Sequence, residues 1–143
     1  MQPEALKFIE TEPVCVLAIE MMDGSPHAAT VHFAHAVEPL RFVFLTESRY
    51  RKAEPLFGRD SSRASVVVGT TENKSNMATL QMDGIATRLT PEDKALQEVY
   101  FAKFLKKRAK FTPPDDFFFK FTPTWWRFTD WRGADGKKIY TSN

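Results

Sequence analysis

A chain of 143 residues with a net charge of +2 is long enough for one domain with a real core. It is too weakly charged to announce a nucleic-acid or membrane partner. Its 43% hydrophobic and 27% charged content is that of a globular protein, and no apolar run reaches the ~20 residues a membrane helix needs. The single Cys15 excludes an internal disulfide and, inside an apolar run, reads as a small buried residue in a reducing, cytoplasmic setting. The N-terminal MQPEALKFIETEP has early acidic residues and no long apolar core, so it does not read as a signal peptide.

In chain order, Pro3 to Glu12 predicts a short helix ended before Pro13, with Leu6 and Ile9 on one side. Val14 to Met22 is rich in β-branched residues and short, so a strand is expected. Asp23-Gly24-Ser25-Pro26 reads as a turn into a second strand, His27 to Val37. After Glu38-Pro39 a third strand runs from Arg41 to Thr46, and a helix is expected over about Tyr50 to Phe57 with Gly58 as its cap. Ala64 to Gly69 predicts a fourth strand, and Thr70 to Ser75 a loop. Asn76 to Leu89 reads as a fifth strand, with a bulge or close backbone approach at Gly84. Thr90-Pro91-Glu92-Asp93 is a helix start, and the helix is expected to reach Lys107 with Leu96, Val99 and Tyr100 buried. Lys106, Lys107, Arg108 and Lys110 at its end read as dipole complementation on a solvated face, with a partner-binding patch as the less common alternative. Phe117 to Arg132 is an aromatic strand region, and Lys137 to Thr141 a last strand.

Strands joined mostly by hairpins, without β-α-β alternation, argue against a Rossmann fold. A mainly β, α+β domain over residues 1–143, a small antiparallel barrel with peripheral helices, fits best.

The segment RFVFLTESRYRKAEPL carries the clearest chemistry. A strand ending at Thr46 is followed by a polar turn and the cations Arg51 and Lys52 at a helix start. Such a place offers unpaired N–H groups and two positive charges to an anion, and a phosphate is the natural ligand. An ordinary solvated helix start has the same appearance. His27, His32 and His35 do not form a metal site on one strand. His32 points away from the other two, which stand about 26 Å apart at ~3.3 Å per residue. Trp125, Trp126, Phe128 and Trp131 could stack nucleobases, but core or interface packing is the commoner use. Adjacent Trp125 and Trp126 must face opposite sides of their strand.

The order VCVLAIEMMDGSPHAATVHF, FVFLTESRYRKAEPL, ASVVVG, ATLQMDGIATRLTPED and FTPTWWRFTDW resembles the pyridoxamine 5′-phosphate oxidase-like, FMN-binding split β-barrels. The resemblance covers Ala5 to Trp131. It implies an FMN held at the interface of a homodimer. Backbone groups of Ala29, Thr30, Val31 and His32 would contact the flavin ring, with Leu45 and Thr46 near the ribityl phosphate and Arg51 and Lys52 on the phosphate. Thr79 and Gln81 would reach the cofactor from the partner subunit, and Trp131 would cover part of it.

The chain also departs from the family's oxidases. Ala29 and Ala34 stand where those enzymes usually carry basic residues, Tyr50 replaces a small hydroxyl residue, and the arginine- and histidine-bearing C-terminal segment is not found. The expectation is therefore an FMN-binding protein, an oxidoreductase of small molecules that does not oxidise pyridoxamine phosphate. A flavin-binding protein without turnover and a single-stranded nucleic-acid-binding barrel are the alternatives.

Overall fold

The computed structural model describes residues 1–72 and 76–143. Helix α1 (Pro3–Thr11) has Pro3 in its first turn and buries Ala5, Phe8 and Ile9, which share one face at helical spacing. Strands β1 (Val14–Glu20), β2 (Pro26–His32), β3 (Ala34–Ala36), β4 (Arg41–Glu47), β5 (Ser62–Thr70), β6 (Ala78–Arg88), β7 (Asp116–Asp130) and β8 (Lys138–Thr141) form one antiparallel sheet. Its order is β2-β1-β5-β6-β7-β4-β3, with β8 added to β7. Two further helices, α2 (Glu54–Gly58) and α3 (Lys94–Lys103), flank it. This is the split β-barrel with peripheral helices that the sequence predicts. No helix of the described residues is long and apolar enough to cross a membrane.

The barrel interior follows the period of two. Cys15, Leu17 and Ile19 of β1, Val66 and Val68 of β5, and Ala78, Leu80 and Met82 of β6 all point inward. They meet Phe42 and Phe44 of β4 and Phe119, Phe121 and Phe128 of β7. Val43 and Phe118 point the other way and are still buried, because α3 packs Leu96, Tyr100 and Phe101 on that face. Strand β4 is thus covered on both sides along its middle, which explains its unbroken apolar run.

Gly84 does what its place in a strand suggested. The β6–β7 register shifts between Asp83 and Gly84, and Thr124 is left without a Cα partner. A Cβ at Gly84 would lie 2.2 Å from the Thr122 carbonyl oxygen, so the bulge closes only over glycine. The shift also changes which residues of β7 face inward, from Phe128 and Trp126 to Phe121 and Phe119. Trp125 and Trp126 take opposite faces, Trp126 against the core.

Three expectations are corrected. The strand expected over His27 to Val37 is two strands with different partners, β2 on β1 and β3 on β4. Phe33 breaks it: its ring is fully buried and stacked 4.6 Å from Phe42, and its N–H donates to the Pro13 carbonyl at 3.2 Å. The helix expected over Tyr50 to Phe57 is a 3-10 turn, Arg51–Ala53, followed by the five-residue α2, with Pro55 inside its first turn and Arg59 as its C-cap. The helix expected to reach Lys107 ends at Lys103, and Leu105–Lys110 forms a separate 3-10 stretch. The expected loop over Thr70 to Ser75 lies partly outside the described residues, at 73–75.

Candidate functional site

Where β2 and β4 end, a cleft of about 340 Å³ opens between them and the connection from α3 to β7. Thr30, Val31 and His32 form one side, and Leu45, Thr46 and Glu47 the floor. Tyr50 and Lys52 follow from the turn after β4. Tyr100 of α3, then Lys107, Lys110 and Asp116, close the far wall.

The physical state of these groups is uneven. Thr46 is 5% exposed, and its Oγ1 is the one buried side-chain oxygen or nitrogen among the described residues without a hydrogen-bond partner. A hydroxyl left so costs about 1–3 kcal/mol, and such groups in native proteins mark places where something else binds. Lys52 is half-buried; burial pulls its pKa below the ordinary lysine value, and the Glu47 carboxylate only partly restores it. Its Nζ lies 4.6 Å from the centre of the Tyr50 ring. Glu47 is engaged elsewhere: Oε2 pairs with Arg49 Nε at 2.5 Å, and Oε1 accepts from the Tyr50 hydroxyl at 3.3 Å. Burial pushes the Tyr100 phenol up to about 12, so it stays a neutral donor.

A partly buried ion pair ties β7 to the start of α3, the helix that carries Tyr100. Lys120 of β7 places Nζ 2.8 Å from both carboxylate oxygens of Asp93. Asp93 Oδ2 also accepts from the Thr90 N–H at 3.1 Å, closing a capping box ahead of α3. Burial works against the charge on Asp93, but the Lys120 and Thr90 contacts outweigh it and hold the carboxyl below its usual pKa.

Of the residues the sequence singled out, the structure gathers Thr30, Val31, His32, Leu45, Thr46 and Lys52 around this cleft. Ala29 is half-buried in β2, paired with Leu17, and is not part of the lining. Arg51 is exposed and is not part of the lining. The short α2 also gives little helix dipole, so side chains and not a helix N-terminus supply the positive charge here. Thr79 and Gln81 of β6, and Trp131 after β7, lie outside the cleft in the same chain. Gln81 belongs to a cross-strand row on the outer sheet face, Thr30–Val16–Val67–Gln81–Arg127.

Sequence reasoning missed Lys107 and Lys110, which it assigned to a solvated helix end. The early end of α3 and the Leu105–Lys110 turn set them against the cleft, whereas Arg108 pairs with Glu98 and covers the Phe101 ring at 4.6 Å. Tyr100 was read correctly as buried, though not as part of a site. No group of three or more His, Cys, Asp or Glu able to hold a metal is found among the described residues.

Residues 1–130 match the family model described as pyridoxamine 5′-phosphate oxidase. No curated protein shows significant sequence similarity to the chain. Among solved structures, the fold is similar to a haem-binding protein of Mycobacterium smegmatis, at 16% identity and a TM-score of 0.73. That alignment covers 99% of this chain but 59% of the mycobacterial one, so the chain spans about three fifths of that relative. A Clostridium acetobutylicum protein related to general stress protein 26, of the pyridoxine phosphate oxidase family, matches with a TM-score of 0.67 at 14% identity, covering 98% of this chain and 92% of its own. HutZ, the haem storage protein of Vibrio cholerae, matches with a TM-score of 0.62 at 18% identity over 85% of this chain and 89% of its own. These likenesses are of fold, whereas the family model spans most of the sequence itself: the chain belongs to the pyridoxamine 5′-phosphate oxidase family.

Proposed function

We propose that the chain binds FMN in this cleft, as a homodimer, and acts as a flavin-dependent oxidoreductase on a small molecule other than pyridoxamine 5′-phosphate. The observation that carries the reading is the pairing of an orphaned buried hydroxyl, Thr46 Oγ1, with a half-buried lysine, Lys52, in one cleft. A phosphate satisfies both at once: it accepts from the hydroxyl and neutralises the ammonium. The residues present therefore fit the phosphate end of FMN. When bound, FMN would supply the redox chemistry, and the protein's part is to bind, orient and exclude water. Lys52 and Thr46 anchor, Val31 and Leu45 give apolar contact, and neutral Tyr100 offers a donor from the far wall.

The dimer rests on the outer sheet face. Val16 and Val67 are 43% and 38% exposed in adjacent positions of one row, flanked by Ala18, Ala28 and Thr30. A small, apolar face on a three-strand patch is what a second copy covers. Thr30 belongs both to this face and to the cleft, so a partner laid there brings its own Thr79 and Gln81 toward the flavin. The cytoplasm is the proposed setting, consistent with the lone buried Cys15.

Ala34 is buried in β3 and provides no charge for a substrate phosphate, which argues against pyridoxamine phosphate as substrate. One specific observation favours a second reading, haem binding: His32 stands exposed at the cleft edge, its ring 5.3 Å from that of Phe104. The absorption spectrum of protein purified and then incubated with FMN or haemin separates the two. A flavin spectrum retained through gel filtration supports the proposal, and a Soret band with no flavin retention overturns it. Turnover with a reduced nicotinamide then separates an enzyme from a flavin carrier.

A further inference from the structure

Met22 and Arg59 meet where the β1–β2 turn lies against the end of α2, outside the cleft lining. The Arg59 Nε–H points at Met22 Sδ, 3.5 Å away. The same guanidinium donates from Nη2 to the Met21 carbonyl at 2.7 Å and lies 3.9 Å from Glu20 Oε1. Three consecutive residues at the end of β1 thus converge on one arginine. Two of them offer it oxygen atoms, whereas the third offers a thioether, a weak acceptor.

The other side of the sulfur is set by Gly58. A Cβ there would lie 2.6 Å from Met22 Sδ and 2.9 Å from Met22 Cε, so the methionine rests on bare backbone. Its sulfur is held between Gly58 and the Arg59 guanidinium, yet the residue remains 46% exposed. The other methionines differ. Met21 and Met82 are buried in the core, and Met1 and Met77 are half-buried. An accessible thioether is open to small oxidants, and the sulfoxide that forms is polar and disrupts an ordinary apolar contact. At Met22 the new oxygen would instead form beside a charged donor already aimed at the sulfur, where a charge-assisted hydrogen bond is available.

We infer that Met22 is a redox modification site: hydrogen peroxide oxidises its thioether to the sulfoxide, and Arg59 receives the new oxygen. The sulfur gives an electron pair to one oxygen of the peroxide, the O–O bond breaks, and the other oxygen leaves as water with both protons. Sulfur is oxidised by two electrons and the peroxide is reduced by two. Methionine sulfoxide reductases reverse such a mark. It falls on the contact that ties β1 to α2, and α2 follows directly on the Arg51–Ala53 turn that carries Lys52. The site is independent of what the cleft binds.

The test exposes the full chain to dilute hydrogen peroxide and follows each methionine by fragment-ion mass spectrometry, which resolves Met21 from Met22. Met22 should oxidise about tenfold or more faster than Met21 and Met82, and faster than Met1 and Met77. Thermal melts before and after oxidation then compare wild type with Met22→Leu and Arg59→Gln, and any shift that Met22→Leu also shows is subtracted. Oxidised wild type should keep its melting temperature or gain, because the sulfoxide oxygen is bonded. Oxidised Arg59→Gln should fall by about 3 °C or more relative to its own reduced form. Should Arg59→Gln not fold, Arg59→Lys keeps the charge and loses the Nε donor, and the same fall is expected of it. Oxidation of Met22 no faster than that of the buried methionines would overturn the inference. So would a fall in oxidised wild type as large as that in the Arg59 variant, since Arg59 would then do nothing for the sulfoxide.

Discussion

The barrel interior and the cleft are built from the same strand, β4, under opposite rules. In its middle, Phe42 and Phe44 are fully buried, and Phe44 stacks on Phe119 at 4.8 Å. Two residues further on, Thr46 is buried with nothing to bond, and six residues beyond it Lys52 is half-buried, with the Glu47 charge near but no ion pair among the described residues. One stretch is satisfied by its own chain, and the next carries a polar group that the chain itself leaves without a partner. A strand can thus hold the fold with one segment and expose a deficit of polar partners at its end, where the sheet opens.

The largest expected effect tests the satisfied half. Phe44→Ala should lower stability by about 3–5 kcal/mol, from lost burial plus the cavity left in a packed aromatic cluster. Chemical denaturation measures it. Flavin affinity of the fraction still folded should change little, and a selective loss of binding without loss of stability would erase the distinction between the two segments.

Next is the deficit itself. Lys52→Ala should weaken FMN by about 1.5–3 kcal/mol, the worth of a hydrogen bond to a charged group, read by fluorescence titration. Arg51→Ala should do much less, because Arg51 lies outside the cleft lining. Equal losses in the two variants would return the phosphate to the helix-start position suggested by sequence.

Thr46→Val sharpens the comparison further, because stability and binding should move in opposite directions. Removing an unpaired buried hydroxyl should leave the ligand-free protein as stable or stabilise it by up to about 1–3 kcal/mol, while FMN binds less tightly. A destabilised variant with unchanged binding would mean the hydroxyl has a structural partner.

The smallest effect concerns the ion pair between β7 and the start of α3, and it depends on pH. The Asp93 carboxyl is held below its usual pKa, so its contribution is present above the unfolded-state value of about 3.9 and is lost as pH falls through the lower folded value. Asp93→Asn should cost about 1–2 kcal/mol near neutrality, a buried-pair value reduced because Lys120 keeps partial contact with solvent. The gap between wild type and variant should close below about pH 4. Urea midpoints across that range measure it, and a gap that widens toward acid would reverse the sign of the argument.

Much of the fold was legible because strands on a half-buried sheet repeat every two residues, and the run from Phe42 to Leu45 or from Val66 to Val68 reads directly. The split between β2 and β3 was not legible. Nothing local stops the chain at Phe33; its burial against Phe42 and its hydrogen bond to Pro13 are tertiary events. In the site, Thr46 and Lys52 were visible as a strand end followed by a cation. Lys107 and Lys110 were not, because lysines at the end of a helix look the same whether the chain turns toward solvent or toward a cleft some 60 residues away in sequence. Gln81 is an intermediate case: its strand was read correctly, and the role proposed for it requires a second copy of the chain.

The central claim is that this cleft is a flavin phosphate site built on Thr46 and Lys52. The most direct measurement compares the affinity of the full chain for FMN with that for riboflavin, which lacks only the phosphate. The account predicts that FMN binds at least about tenfold tighter, equivalent to ~1.4 kcal/mol, and that Lys52→Ala removes most of the difference. Equal affinity for the two flavins, or binding of neither, would contradict it.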